Sequence, residues 1–219
     1  MELSALLSSS LLLILLCGNT GNADSSPLRD TCPMDPKGER KLFMNGFSCK
    51  DPETIMPSDF KTSMLKNAGD TDNFVRSCMN VVTAAEFPGL NTLGLSVART
   101  DLAMDGMVLP HSHPRASEMM YVVRGTVIAG FIDTKDRPFQ KMLEEGDIFV
   151  IPRGLLHFFL NAGFGPATIH SVLNSQNPGV VSIAGAMFSS DYHVSEMLVA
   201  RMLSLRAMEL GHNRTDTIS

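Results

Sequence analysis

From Phe74 to Leu173 the chain runs as short apolar stretches, each ended by glycine, proline or a polar cluster. That rhythm has no room for alternating strand–helix units and predicts an all-β sandwich or barrel. Val81-Val82 precedes a Pro88-Gly89 turn signal, and Leu93–Leu102 mixes aliphatic and small residues. Met119–Phe131 is rich in β-branched residues and is interrupted by Gly125 and Gly130. Ile148–Ile151 ends at Pro152, and His157–Leu160 ends at a Gly163, Gly165, Pro166 turn. Ala167–Leu173 and Val180–Phe188 complete the series. Upstream, residues 24–60 are irregular and rich in Pro, Asp and Lys. Downstream, Ser195–Leu210 has neither proline nor glycine, and Leu198, Met202, Leu205 and Met208 recur at helical spacing. This predicts an amphipathic helix that docks on the barrel or on a neighbouring subunit, stopped at Gly211.

The N-terminus reads as an export signal. An apolar run at Leu11–Leu16 is followed by small residues at Gly21 and Ala23, which suits cleavage after Ala23. Glu2, with no Lys or Arg near it, is atypical of such signals. The run is too short to span a bilayer, and no later stretch is long and apolar enough to do so. A net charge of −5 gives no sign of nucleic-acid binding. Removal of residues 1–23 leaves Cys32, Cys49 and Cys78, and an oxidising compartment would bridge a pair. Cys32 and Cys49 lie close together in a turn-rich stretch that would benefit from a staple, while Cys78 reads as a small buried apolar side chain. The 15 methionines read as adaptable core filler.

Two segments carry chemistry. One runs from Gly106 through His111-Ser-His113-Pro-Arg-Ala-Ser-Glu118 to Gly125, the other from Gly146 through Pro152-Arg-Gly154-Leu-Leu-His157 to Asn161. Residues two apart on a strand share a face, so His111 and His113 aim two imidazoles into one interior. Glu118 has the opposite parity. A turn at Pro114–Ser117 resolves this by placing Glu118 at the start of the next strand, with Met120 and Val122 on its inward face. His157 enters the same interior from another strand. Asn161 reads either as a group orienting His157 or as a turn residue. Three imidazoles and one carboxylate suit a divalent first-row metal with open positions for water or substrate. Mn, Fe, Zn, Cu and Ni all stay open on this chemistry. His170, His193 and His212 have no comparable setting and read as ordinary histidines, and Asp101 and Arg115 as structural polar residues near the barrel mouth.

The first segment resembles the first cupin box, His-x-His-x4-Glu-x6-Gly, and the second fits the second box, Gly-x5-Pro-x-Gly-x2-His-x3-Asn. Pro88-Gly-Leu-Asn91-Thr-Leu-Gly94, His113-Pro-Arg-Ala-Ser-Glu118 and Ser175-Gln-Asn-Pro-Gly179 resemble germins and germin-like proteins of plants over residues 30–205. The resemblance implies a cupin jelly-roll β-barrel with a C-terminal helical extension. The domain would span 24–219, with the barrel core at about 60–190 and the helical tail at about 193–212. It implies one Mn(2+) per subunit on His111, His113, Glu118 and His157, and a Cys32–Cys49 disulfide. It also implies a homohexamer built as a trimer of dimers, and a glycoprotein secreted to the extracellular space, the apoplast and cell wall. Asn213, in Asn213-Arg-Thr215, is the one glycosylation sequon.

Germins proper are oxalate oxidases, and many germin-like proteins dismutate superoxide; both reactions suit a Mn ion with open positions. The family's oxidase pocket places asparagines near the metal. Asn91 matches one, which makes it a substrate-pocket residue, but the position three residues before the first metal histidine is Val108. A site that loses a polar partner for its substrate loses binding heavily, so oxalate oxidase activity is not expected. The expected function is a manganese-binding protein with superoxide dismutase activity and a role in defence or development, acting on a small-molecule substrate. The alternative is a non-enzymatic extracellular receptor or wall structural protein. Some relatives carry a basic-Gly-Asp loop for such a role; here Ala68-Gly69-Asp70 lacks the basic residue.

Overall fold

The computed structural model describes residues 30–37, 42–43 and 46–183. The export signal at 1–23, the helical tail at 193–212, His193, His212 and Asn213 lie outside these residues. Two short strands, β1 (Leu42–Phe43) and β2 (Gly46–Phe47), pair with each other, and 3₁₀ turns follow at Pro52–Thr54 and Pro57–Phe60. A third 3₁₀ turn lies at Pro88–Leu90, and the remaining regular elements are strands: β3 (Ser77–Val82), β4 (Ser96–Leu102), β5 (Met107–Ser112), β6 (Glu118–Arg124), β7 (Val127–Ile132), β8 (Pro138–Leu143), β9 (Ile148–Ile151), β10 (Leu156–Asn161), β11 (Ala167–Leu173) and β12 (Val181–Ser182). Among the described residues, no helix is long and apolar enough to cross a membrane.

The strands form two antiparallel five-stranded sheets, ordered β12-β5-β10-β7-β8 and β3-β4-β11-β6-β9. From β4 onward the chain changes sheet at almost every step, the winding of a jelly roll. Each sheet turns one face inward, so burial alternates along the strands. In β6, Glu118, Met120 and Val122 are buried while Met119 and Tyr121 are exposed; in β11, Ala167, Ile169, Ser171 and Leu173 are all buried. The inward side chains meet in one apolar core that includes Met120, Val122, Val127, Phe159 and Ile169. Burying side chains of this kind stabilises the fold by about 1.5–3 kcal/mol each.

Most expected strands fall where the pattern places them, and β9 and β11 match to the residue. The Met119–Phe131 run divides into β6 and β7 around Gly125, whose φ is +87° and whose Cβ would crowd Ala167. Gly130 does not break the chain: it lies inside β7, where a side chain would collide with Phe158 and Gln140. Of the Val180–Phe188 run, Val181–Ser182 is strand, and residues 184–188 lie outside the described set. Strand β8 has no counterpart in the sequence reading. It is a sheet edge exposed along almost its whole length, so nothing imposes apolar alternation on it.

Candidate metal centre

The sheet arrangement delivers four side chains to one place between the two layers. His111 and His157 lie on neighbouring strands of the first sheet and are direct partners across the antiparallel β5/β10 ladder. Glu118 opens β6 in the opposite sheet, between Ile151 and Leu173. His113 sits on the crossover joining the two sheets, just past the end of β5. The turn at Pro114–Ser117 thus corrects the parity of Glu118 as expected. One ligand atom from each of the four residues lies within 4.8 Å of all the others, close enough for one ion to reach them.

All four are almost completely buried. Burial of this much polarity is costly unless partners are found, and the partners are arranged with a direction. Each imidazole has its Nδ1 at a main-chain carbonyl: His111 at Leu109 O (2.9 Å), His157 at Leu155 O (2.9 Å) and His113 at Gly179 O (2.7 Å). A carbonyl only accepts, so each Nδ1 carries a proton, and in the neutral imidazole Nε2 is then left with a lone pair. This is how metal-binding histidines are oriented. Among the described residues, five buried side-chain polar atoms lack a hydrogen-bond partner, and three of them are His111 Nε2, His157 Nε2 and Glu118 Oε2. Glu118 Oε2 lies 3.2 Å from His157 Nε2 and 3.4 Å from His113 Nε2. Convergent unsatisfied donors of this kind fit a divalent metal ion.

The electrostatics of His111 and Glu118 agree with that fit. Burial drives the His111 pKa down to about 4, helped by His157, so its imidazole is neutral at ordinary pH. Burial pushes Glu118 up, but the His113 and His157 imidazoles beside it and the Ser171 hydroxyl outweigh this and hold it well below the carboxylate range. It is therefore ionised. Burial also lowers His113, yet its contacts with Glu118 and the Gly179 carbonyl leave it raised. Beneath the site is hydrocarbon: the Phe159 ring lies 5.8 Å from the His157 ring and 6.1 Å from His111, centroid to centroid. Val108, paired with Phe159 across the sheet, packs against the same apolar core.

Asn91 is not among the four. Its side chain is fully buried and occupied: Oδ1 accepts from Phe47 N, and Nδ2 donates to Phe47 O and Cys32 O. It ties down the N-terminal segment, which the Cys32–Cys49 disulfide also staples. Cys78 is free and half-buried rather than fully buried, because β3 is a sheet edge. Asn161, the last residue of β10, braces the turn that follows: its side chain bonds Ala103 O, Gly165 O and Gly163 N. His170 is exposed. Asp101 pairs with Arg99, and Arg115 holds Asn177. Sequence reading missed Ser171, which differs from an ordinary strand serine only in lying near Glu118 on the neighbouring strand of the same sheet.

A double-layered jelly roll with three histidines and a glutamate on its inner faces defines a cupin. A cupin family profile matches residues 63–209. The chain is 64% identical to germin-like protein 11-1 of Oryza sativa subsp. japonica, covering 95% of this chain and 94% of that one. It is 56% identical to germin-like protein subfamily 3 member 4 of Arabidopsis thaliana, covering 78% and 80%. Among solved structures, an oxalate oxidase superposes with a TM-score of 0.74 at 35% identity, over 82% of this chain and 90% of that one. The chain belongs to the plant germin-like proteins.

Proposed function

We propose that this chain is a secreted manganese protein that dismutates superoxide in the plant cell-wall space. One observation carries the reading: three Nδ1-anchored imidazoles turn their Nε2 atoms toward an ionised glutamate in a buried pocket. The donor set is hard enough for manganese and leaves coordination positions free on an octahedral ion. Manganese bound there would supply the one-electron exchange that converts two superoxide ions and two protons into dioxygen and hydrogen peroxide. The chain's own part is to hold the donors rigid, keep His111 neutral and close the rear of the site with Phe159. Family membership supports export of a single germin-type domain and a homohexamer; the small residues Gly21 and Ala23 support cleavage behind Ala23, and Asn213 is the one sequon for glycosylation.

The solved relative with oxalate oxidase activity raises that reaction as the competing reading. Val108 speaks against it: packed against the core, it offers a dicarboxylate no hydrogen bond. The test is a dismutase assay on manganese-loaded protein against the same concentration of free manganese. The reading predicts activity well above the free ion that falls to that level in His157→Ala. Activity no higher than free manganese contradicts it, and hydrogen peroxide release from oxalate at mildly acid pH would establish the oxidase instead.

A further inference from the structure

His113 is held differently from the other two imidazoles. His111 bonds the Leu109 carbonyl on its own strand and His157 the Leu155 carbonyl immediately before β10, so each of these rings is fixed by chain only two residues away. His113 lies past the end of β5, and its carbonyl partner, Gly179, is 66 residues away in sequence. Its orientation depends on whatever holds the segment before β12 in place.

That holder is visible. Arg115, two residues beyond His113, donates Nε to Asn177 O (2.7 Å) and Nη2 to Asn177 Oδ1 (2.9 Å). Its main-chain N–H donates to Pro178 O (3.1 Å). On the far side of the same turn, Ser117 N donates to Asn174 Oδ1 (2.7 Å) and Asn174 N to Ser117 O (3.3 Å). The chain at 174–179 is thus stapled across the turn that separates His113 from Glu118. Gly179 completes the fit, with φ at +67°, and a Cβ there would stand 2.8 Å from the Arg115 guanidinium. Guanidinium and glycine are seated against each other, so the Gly179 carbonyl is placed by Arg115.

We propose that Arg115 is a positioning residue of the metal centre: with Asn177 it fixes the Gly179 carbonyl on His113 Nδ1, and so sets how tightly His113 retains the ion. This rests on the metal reading above. Arg115 is exposed, and its guanidinium grips Asn177 through two nitrogens. Lysine would keep the charge but not the fork.

The experiment measures loss of Mn(2+) from the purified full chain to excess chelator, together with the manganese electron paramagnetic resonance spectrum. Arg115→Ala should speed ion loss by about 10–100-fold, the range for removing a support of a metal histidine. It should also change the spectrum. Asn177→Ala should match it, and Arg115→Ala/Asn177→Ala should add nothing further. Arg115→Lys guards against a folding defect and should recover only part of the retention. In a His113→Gln background, Arg115→Ala should have no additional effect, whereas a merely structural arginine would still weaken retention there. Retention and spectrum unchanged in Arg115→Ala, beside a wild type that holds its ion, would overturn the inference and leave the metal reading standing. A wild type that holds no ion would overturn both.

Discussion

His111 and His157 are cross-strand partners, with ring centroids 4.1 Å apart. The two imidazoles of the first sheet are therefore positioned by the same β-ladder that builds the barrel, and the site forms when the sheet forms. Substituting His157→Gln removes one donor without disturbing that ladder. Mn(2+) affinity should fall by more than about 100-fold, exceeding the 10–100-fold typical of losing a supporting hydrogen bond. His170→Ala, on the exposed face of β11, should leave it unchanged. Chelator competition on the two variants decides the matter; equal affinities would contradict the assignment.

Ion removal should lower stability. A ligand that binds only the folded state contributes about 4 kcal/mol when present at 1,000 times its dissociation constant. Thermal melts with and without chelator should therefore differ by several degrees, and the difference should vanish in His157→Gln. Superimposable melts of the wild type would argue that the four donors hold nothing.

Acid should weaken the barrel through Asp101. This carboxylate, 5% exposed, accepts from Arg99, from Gly69 N and from Thr168 Oγ1. Burial raises its pKa, but Arg99 and the other donors outweigh burial and hold it below 3.8. A carboxylate depressed on folding stabilises above its unfolded value, and that contribution is lost as pH falls through the folded value. Asp101→Asn should cost about 3 kcal/mol near pH 7, the low end for breaking a buried pair. In urea titrations the gap from wild type should narrow below pH 4. A gap independent of pH would show that the charge contributes nothing.

The N-terminal segment should be held by two coupled devices. The Cys32–Cys49 bridge has a sequence separation of 17, for which constraint of the unfolded chain predicts about 3 kcal/mol. Asn91→Ala would leave Phe47 N, Phe47 O and Cys32 O without their partner, costing about 1–3 kcal/mol. Because both act on one segment, Asn91→Ala combined with reduction should cost less than the sum. Unfolding of the four species by denaturant measures this; strict additivity would separate the two devices.

The donors were legible in the sequence because strand parity and turn chemistry are written in residue spacing: His111 and His113 two apart, a Pro114–Ser117 turn, and Pro152 and Gly154 ahead of His157. What supports them was not. The carbonyls of Leu109, Leu155 and Gly179 belong to the main chain and leave no trace in side-chain pattern. Ser171 reaches Glu118 only because β11 lies beside β6, a neighbour relation that strand order decides. Asn91 is the reverse case: its motif is recognisable, but its hydrogen bonds go to Phe47 and Cys32, which no local pattern announces. The exposed edge strand β8 escaped because solvent on both sides removes the alternation by which strands are read.

Everything proposed for the site depends on His111, His113, Glu118 and His157 holding one metal ion. The most direct measurement is elemental analysis of protein purified from a secreting host, without affinity histidines or chelators, beside the His111→Ala variant. The wild-type chain should carry close to one manganese and the variant almost none. No metal in the wild type, or a substoichiometric mixture that His111→Ala leaves unchanged, would contradict that assignment.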